Sequence, residues 1–256
     1  MLALIVPLWA RLTIYLVAGI AAGISNGIAG GGTFITFPTM LALGVPAIQA
    51  NVSSSVGVLP SYLGGLRGFR RELHQRMPLV RRLMPACVAG TLVGTALLLG
   101  GSPGTFKSVV PWLVGGATVL FALSPILTRK LSHIDHDHPT RRGALQVGVF
   151  LVALYGGYFG AGLGIMLLAV MGLTLPDDLD TLHGLRSALS TAINAIAAIV
   201  FIVRGHLAME AVSMLLVGTA IGGWLGTKLI QKLKPATVRA LIVLIGAATT
   251  VQLALR

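Results

Sequence analysis

The feature that most constrains this chain is a succession of apolar runs, each about 20 residues long, with the charges gathered in short segments between them. Such runs lie at 9–29, 46–66, 77–100, 106–127, 143–161, 181–203, 207–230 and 236–255. A backbone inside a bilayer has no water to bond to, so runs of this kind are stable there only as helices whose N–H and C=O groups satisfy one another. Composition closes the soluble alternative: 55% of the 256 residues are hydrophobic and 10% charged, where soluble domains carry about 25% charged residues. The expected fold is an all-α polytopic membrane protein, crossing its membrane many times. The apolar stretch 1–10, followed by Arg11, reads as the lead-in to the first span, because a secretory leader places its positive charge before the apolar stretch.

Two shorter apolar pieces, 32–44 and 163–175, are too short for a full crossing and each follows a glycine cluster. They read as half-helices or hairpin arms, bringing the expected total to about 8–10 membrane helices, short or broken ones included. Each half of the chain then reads as a long helix, a glycine cluster, a short helix, a helix with a polar start, and two long helices. The boundaries are a first membrane repeat at 1–127, a hydrophilic cytoplasmic linker at 128–142 and a second repeat at 143–256, the two repeats forming one transport domain.

Charge orients the repeats. Lys and Arg collect at 67–82 (Arg67, Arg70, Arg71, Arg76, Arg81, Arg82), in the linker (Arg129, Lys130, Arg141, Arg142) and at 228–239 (Lys228, Lys232, Lys234, Arg239), whereas the alternating loops hold only Lys107 and Arg204. Basic loops stay cytoplasmic. An even number of crossings between them puts the halves in opposite orientations, so the expectation is two inverted-topology repeats. In such folds, substrate sites lie near the midplane where broken helices meet. The formal net charge of +12 does not form a patch on an amphipathic element, so nucleic acid is not an expected partner; membrane lipid is.

The glycine clusters are Gly27-Ile28-Ala29-Gly30-Gly31-Gly32 and Gly156-Gly157-Tyr158-Phe159-Gly160-Ala161-Gly162-Leu163-Gly164. Glycine in a membrane helix usually serves close packing. Two clusters at matching places favour a second use: positive φ at a helix break, which leaves amide N–H groups free to hold an anion. Pro38 marks the first break as the more irregular; the second has Val170 at that spacing and is expected to be milder. The polar helix starts follow, Gln49-Ala50-Asn51-Val52-Ser53-Ser54-Ser55 and His183-Gly184-Leu185-Arg186-Ser187, with Ser190, Thr191 and Asn194 beyond. Hydroxyls on a helix are commonly satisfied by their own backbone, which is the structural reading of Ser55, Ser190 and Thr191. Arg186 either snorkels to the interface or faces inward, where its planar fork suits a sulfonate, sulfite or carboxylate.

The seven carboxylates, Glu72, Asp135, Asp137, Asp177, Asp178, Asp180 and Glu210, all fall in loops or near helix ends. That speaks against a cation pathway, a buried carboxylate relay and paired-carboxylate hydrolysis. His183 and His206 are candidate proton carriers, so proton coupling is one expectation. The tract His133-Ile134-Asp135-His136-Asp137-His138 reads as a solvated linker with incidental metal affinity rather than a metal site. Cys87 reads as a packing residue. Gly30-Gly31-Gly32 lacks the Lys-Ser/Thr of a phosphate-binding loop, and nothing calls for a cofactor or an ATP motor.

Gly27-x-x-Gly30-Gly31-Gly32, Pro38-Thr39-Met40-Leu41, Gly44-Val45-Pro46 and Ala50-Asn51-Val52-Ser53 resemble the first-repeat signature of the TauE/SafE sulfite exporter family. Gly157-x-x-Gly160-Ala161-Gly162, Arg186, Asn194 and Phe201 with Gly205 are similar to its second repeat, with Gly162-Leu163-Gly164 departing from a glycine triplet. The resemblance covers essentially the whole chain and implies a secondary carrier that moves sulfite or organosulfonates such as sulfoacetate outward across the inner membrane. The expectation is alternating access around a site of Gly30, Gly31, Gly32, Asn51, Ser53, Ser54, Gly160, Gly162, Arg186 and Asn194, with a small anionic sulfur compound as substrate. A passive anion channel would need the same site and a continuous pore. A membrane-embedded enzyme would need a nucleophile–base pair or a metal set, for which the residues are weak candidates. A purely structural subunit would not repeat polar and glycine positions in both halves.

Overall fold

In a computed structural model, residues 6–28, 30–62, 70–131, 142–229 and 235–255 are described, and their regular structure is helical. The first half holds α1 (Leu8–Ile28), α2 (Thr33–Ala42), α3 (Ala47–Gly57), α4 (Arg70–Gly100) and α5 (Pro103–Leu131). The second holds α6 (Arg142–Tyr158), α7 (Leu163–Thr174), α8 (Leu179–Arg204), α9 (Met209–Leu229) and α10 (Pro235–Ala254). Six of them (α1, α4, α5, α8, α9 and α10) are long and apolar enough to cross a membrane. At 10 and 12 residues, α2 and α7 reach only about 15–18 Å, roughly half of a hydrocarbon core.

Two boundaries differ from the sequence reading, each for a local reason. The run 46–66 is not one helix. It stops at Gly57, turns at Val58 and resumes at 59–62, because Ser61 N–H and Ser61 Oγ both donate to the Val58 carbonyl. A side-chain hydroxyl that bonds the backbone offers an alternative to the helix ladder. The basic segment from Arg70 to Arg82 is not a loop but the opening turns of α4. Its Arg, Leu, Glu, Gln and Met residues are good helix formers. With 31 residues, α4 is about 46 Å long and outreaches a core of about 30 Å, so its charged end projects beyond the lipid.

The halves pack by exchange. α1 runs along α9 and, reciprocally, α4 along α6; α5 meets α10; α2 lies on α1 as α7 lies on α6. Small residues make the two longest seams possible. A Cβ on Gly23 would sit 2.6 Å from Gly223 N in the α1–α9 seam, and one on Gly94 would sit 2.9 Å from Tyr158 N in the α4–α6 seam. With no hydrophobic force between helices in lipid, such backbone proximity is what holds them together. Two apolar cores result: one around Phe34, Phe37, Phe121, Phe159 and Phe201, the other around Leu83, Cys87, Leu145, Leu167, Leu185 and Leu189. The outside carries large exposed apolar side chains, among them Trp112, Leu97, Leu151, Val203 and Leu244. A surface so apolar, and so extensive, is one that faces lipid.

Candidate anion site at two helix breaks

The glycine clusters break the chain in the same way in both halves. Gly30 has φ +80° and Gly160 φ +79°. Gly30 N–H donates to Ser25 O at 3.1 Å and Gly160 N–H to Tyr155 O at 3.2 Å, each reaching back five residues and closing the preceding helix. Beyond the break, Ile35 and Thr36 donate to Gly32 O, as Ile165 and Met166 donate to Gly162 O, and so the short helices begin alike. The expectation of a milder second break is corrected. Gly162 also lies in the left-handed region, φ +74°, whereas Gly32 is in the ordinary helical region at −59°. Backbone chirality, not proline, makes the break. Pro38 lies inside α2, where it withholds an N–H from the ladder without ending the helix.

Different groups satisfy the two breaks. In the first, Asn26 Oδ1 accepts from Gly32 N–H at 2.6 Å while Asn26 Nδ2 donates to Ser61 Oγ at 2.8 Å, tying the turn after α3 to the start of α2. In the second, the Tyr155 phenol donates to Ala161 O at 2.6 Å. The start of α7 is less complete: the N–H of Gly164 meets no backbone acceptor among the described residues.

Arg186 lies against that start. A Cβ on Gly164 would meet Arg186 Cδ at 3.4 Å and Nε at 3.7 Å, so the arginine stem runs across the glycine backbone at the first turn of α7. The side chain points inward and is half-buried; it does not snorkel to the interface. Neither ion pair among the described residues involves it. Around the guanidinium, α8 presents one polar face: His183, Arg186, Ser190 and Asn194 recur at intervals of three and four. His183 lies within electrostatic reach of Arg186, and Ser190 Oγ is buried without a hydrogen bond. Asn194 donates to Ser190 O at 2.9 Å, and the Tyr62 phenol lies beside Asn194 and within electrostatic reach of Arg186.

The first half contributes its own polar face. Thr36 Oγ1, in the first turn of α2, and Ser54 Oγ on α3 share a short hydrogen bond. Asn51 bridges the halves: its Nδ2 donates to Tyr158 O at the second break, at 2.8 Å, and its Oδ1 is buried with no hydrogen bond. Phe37 packs edge-on against Phe159 with centroids 5.4 Å apart, and Phe34 lies 3.9 Å from the position of a Cβ on Gly162. The two breaks are therefore neighbours.

Among the residues singled out from sequence, Asn51, Ser54, Gly160, Gly162 and Arg186 stand on or beside the two breaks, and Asn194 lies farther along α8, where its Nδ2 donates to Ser190 O. Gly30 stands at the first break with open space on its Cα, and Gly31 packs against Phe121 and Ile242. Gly32 offers its N–H to Asn26, and Ser53 Oγ accepts from Ala208 N at 2.9 Å, pinning the turn before α9. Asn26, Ser61 and Tyr62 were not singled out. Asn26 could have been, since a lone amide beside a glycine cluster is costly in lipid unless it caps something. The tract 133–138 lies outside the described residues, and no group of metal-ligating side chains occurs among those described. Cys87 is buried in the second core.

Comparison with known proteins agrees with this architecture. The family model described as sulfite exporter TauE/SafE matches residues 15–253. A probable membrane transporter protein of Haemophilus influenzae is 24% identical, covering 94% of each chain. One of Sinorhizobium, named ORF9, is 26% identical over 93% of this chain and 90% of its own. The probable membrane transporter protein YfcA of Escherichia coli is 22% identical over 91% and 85%. With a match that runs through both glycine breaks and from α1 to α10, the chain belongs to the TauE/SafE family of membrane transporters.

Proposed function

We propose that this protein is a secondary transporter that moves small sulfur-containing oxyanions, sulfite or organosulfonates such as sulfoacetate, out across the bacterial inner membrane by alternating access. One observation carries the reading: a half-buried arginine with no carboxylate partner among the described residues lies across the open amide end of a half-helix. A guanidinium fork and a helix N-terminus both favour a compact, multiply charged oxygen acceptor. The reciprocal packing of the halves supports two inverted-topology repeats, whose rocking would expose the paired breaks to one side and then the other. Among the described residues no carboxylate pairs with the arginine, which suits the site to an anion; a proton would be carried by the substrate or by His183.

The test is uptake of radiolabelled sulfite and sulfoacetate into proteoliposomes. Wild type is expected to transport at least one, with counterflow when the vesicles are preloaded. Arg186→Gln is expected to lose transport while keeping its melting profile in detergent. Undiminished flux in that variant removes Arg186 from the site, and flux without counterflow at channel rates replaces the carrier with a pore.

A further inference from the structure

Beyond the midplane site, two clefts open between the halves, and they correspond to one another. The first, about 340 Å³, lies among the start of α4, the start of α6 and the turn from α7 to α8; it is lined by Gln75, Arg76, Arg82, Arg142, Gln146 and Asp177 over a floor of Leu83, Leu145 and Leu175. The second, about 450 Å³, lies among α1, the turn from α2 to α3 and the start of α9, with Arg11, Gln49 and Glu210 on its walls. Exchange the halves and each cleft maps onto the other. Each contains one ion pair, Arg76–Asp177 in the first and Arg11–Glu210 at 2.7 Å in the second.

Their charge is not alike. The second cleft is neutral, since its one arginine meets its one carboxylate. In the first, Asp177 is 5% exposed and taken by Arg76, which leaves Arg82 and Arg142 exposed and without a carboxylate among the described residues. A concave site with a net charge of one sign over an apolar floor focuses its field outward and concentrates ions of the opposite sign. The cleft also adjoins the start of the helix that carries Arg186. Its Leu175, Pro176 and Asp177 form the turn into α8, and Arg186 follows on that helix, about 10 Å below Leu179.

We propose that this first cleft is an anion-capture vestibule, in which Arg82 and Arg142 hold a small oxyanion before it passes to Arg186. The inference rests on the anion-transporter reading and deepens it, because it assigns the entry side. Both arginines belong to the basic segments that the positive-inside rule places in the cytoplasm, so capture there favours outward movement. The same chemistry would also accept the phosphate of an anionic lipid, and the test separates the two sources.

Full-length protein is reconstituted in phosphatidylcholine vesicles, with and without phosphatidylglycerol, and sulfite flux from the face bearing this cleft is measured against concentration and ionic strength. For Arg82→Gln/Arg142→Gln the half-saturating concentration is expected to rise about tenfold at low salt, with the maximal rate kept and the salt dependence flattened. Arg11→Gln/Glu210→Gln serves as the comparison and is expected to keep the wild-type half-saturating concentration. An unchanged half-saturating concentration in the first variant overturns the proposal. So does an effect seen only in phosphatidylglycerol vesicles, which would make the cleft a lipid-headgroup site. Thermal shifts of the purified protein with sulfite, sulfoacetate, thiosulfate and phosphate complete the test. Stabilisation by phosphate alone, lost in the double glutamine variant, would keep the vestibule and sink the sulfur substrate; stabilisation of wild type by none of them would sink the vestibule.

Discussion

An arginine about two turns inside a membrane helix persists only where something keeps its charge company, and for Arg186 that company is a helix end and a phenol. Charge alone is not what the geometry supplies. Arg186→Lys retains the positive charge but loses the fork, and transport is expected to fall at least tenfold, measured as initial uptake rate. Gly164 sets the lane for the arginine stem. Its Cβ position lies at ordinary contact distance from Arg186, so Gly164→Ala should keep activity, while Gly164→Leu should displace the guanidinium and lower the maximal rate. Asn26 is the matching residue of the first break. Asn26→Ala would strand the Gly32 N–H and one partner of Ser61, a loss of about 1–3 kcal/mol, read as a lower midpoint in thermal melting. Arg186 and Asn51 were legible in the sequence because charge and amide stand out against an apolar run. Tyr62 was not, because an aromatic residue inside a predicted span looks like lipid-facing bulk until the fold brings α8 beside it.

At the scale of elements, the short helices exist because glycine can take a backbone conformation that other residues resist. Gly30 and Gly160 share a φ near +80°, but their surroundings differ. A Cβ on Gly30 would meet nothing within 4 Å, whereas one on Gly160 would be 3.1 Å from Gly156 O. Gly30→Ala should therefore cost only the left-handed strain, about 1–2 kcal/mol, and Gly160→Ala visibly more; the difference in melting midpoint between the two checks it. The seams make a harsher demand. Gly23→Leu places a branched side chain where the α9 backbone passes, and loss of monodisperse protein on size-exclusion chromatography is the expected outcome. Glycine clusters and short apolar runs announced these elements from the sequence. The interruption at Val58 was hidden, because nothing in the apolar pattern marks Ser61 as the residue that turns back to the Val58 carbonyl, and the Asn26 amide that also holds its hydroxyl lies 35 residues earlier.

For the molecule as a whole, two corresponding clefts at the ends of exchanged halves are what a carrier needs if it is to open on one side at a time. The single cysteine is buried, so Cys87→Ser supplies a background for placing reporters. Gln75→Cys in the first cleft and Gln49→Cys in the second are expected to react reciprocally with a membrane-impermeant maleimide: substrate or a locking condition that protects one should expose the other. Labelling of both together, at undiminished rates under all conditions, would describe a channel instead.

What the sequence determined by itself follows from the solvent. Lipid offers no hydrogen bonds and no hiding place for charge, so apolar runs had to be helices, basic segments had to lie between or beyond them, and glycine clusters had to interrupt them where no loop was affordable. What only the tertiary structure decided is proximity. That Asn51 reaches the second break, that Tyr62 meets Asn194, that Arg186 crosses Gly164, and that one cleft is basic while its counterpart is neutral are all contacts between residues far apart in the chain. Hydropathy and spacing describe each helix against lipid; they carry no term for which face of one helix meets which face of another.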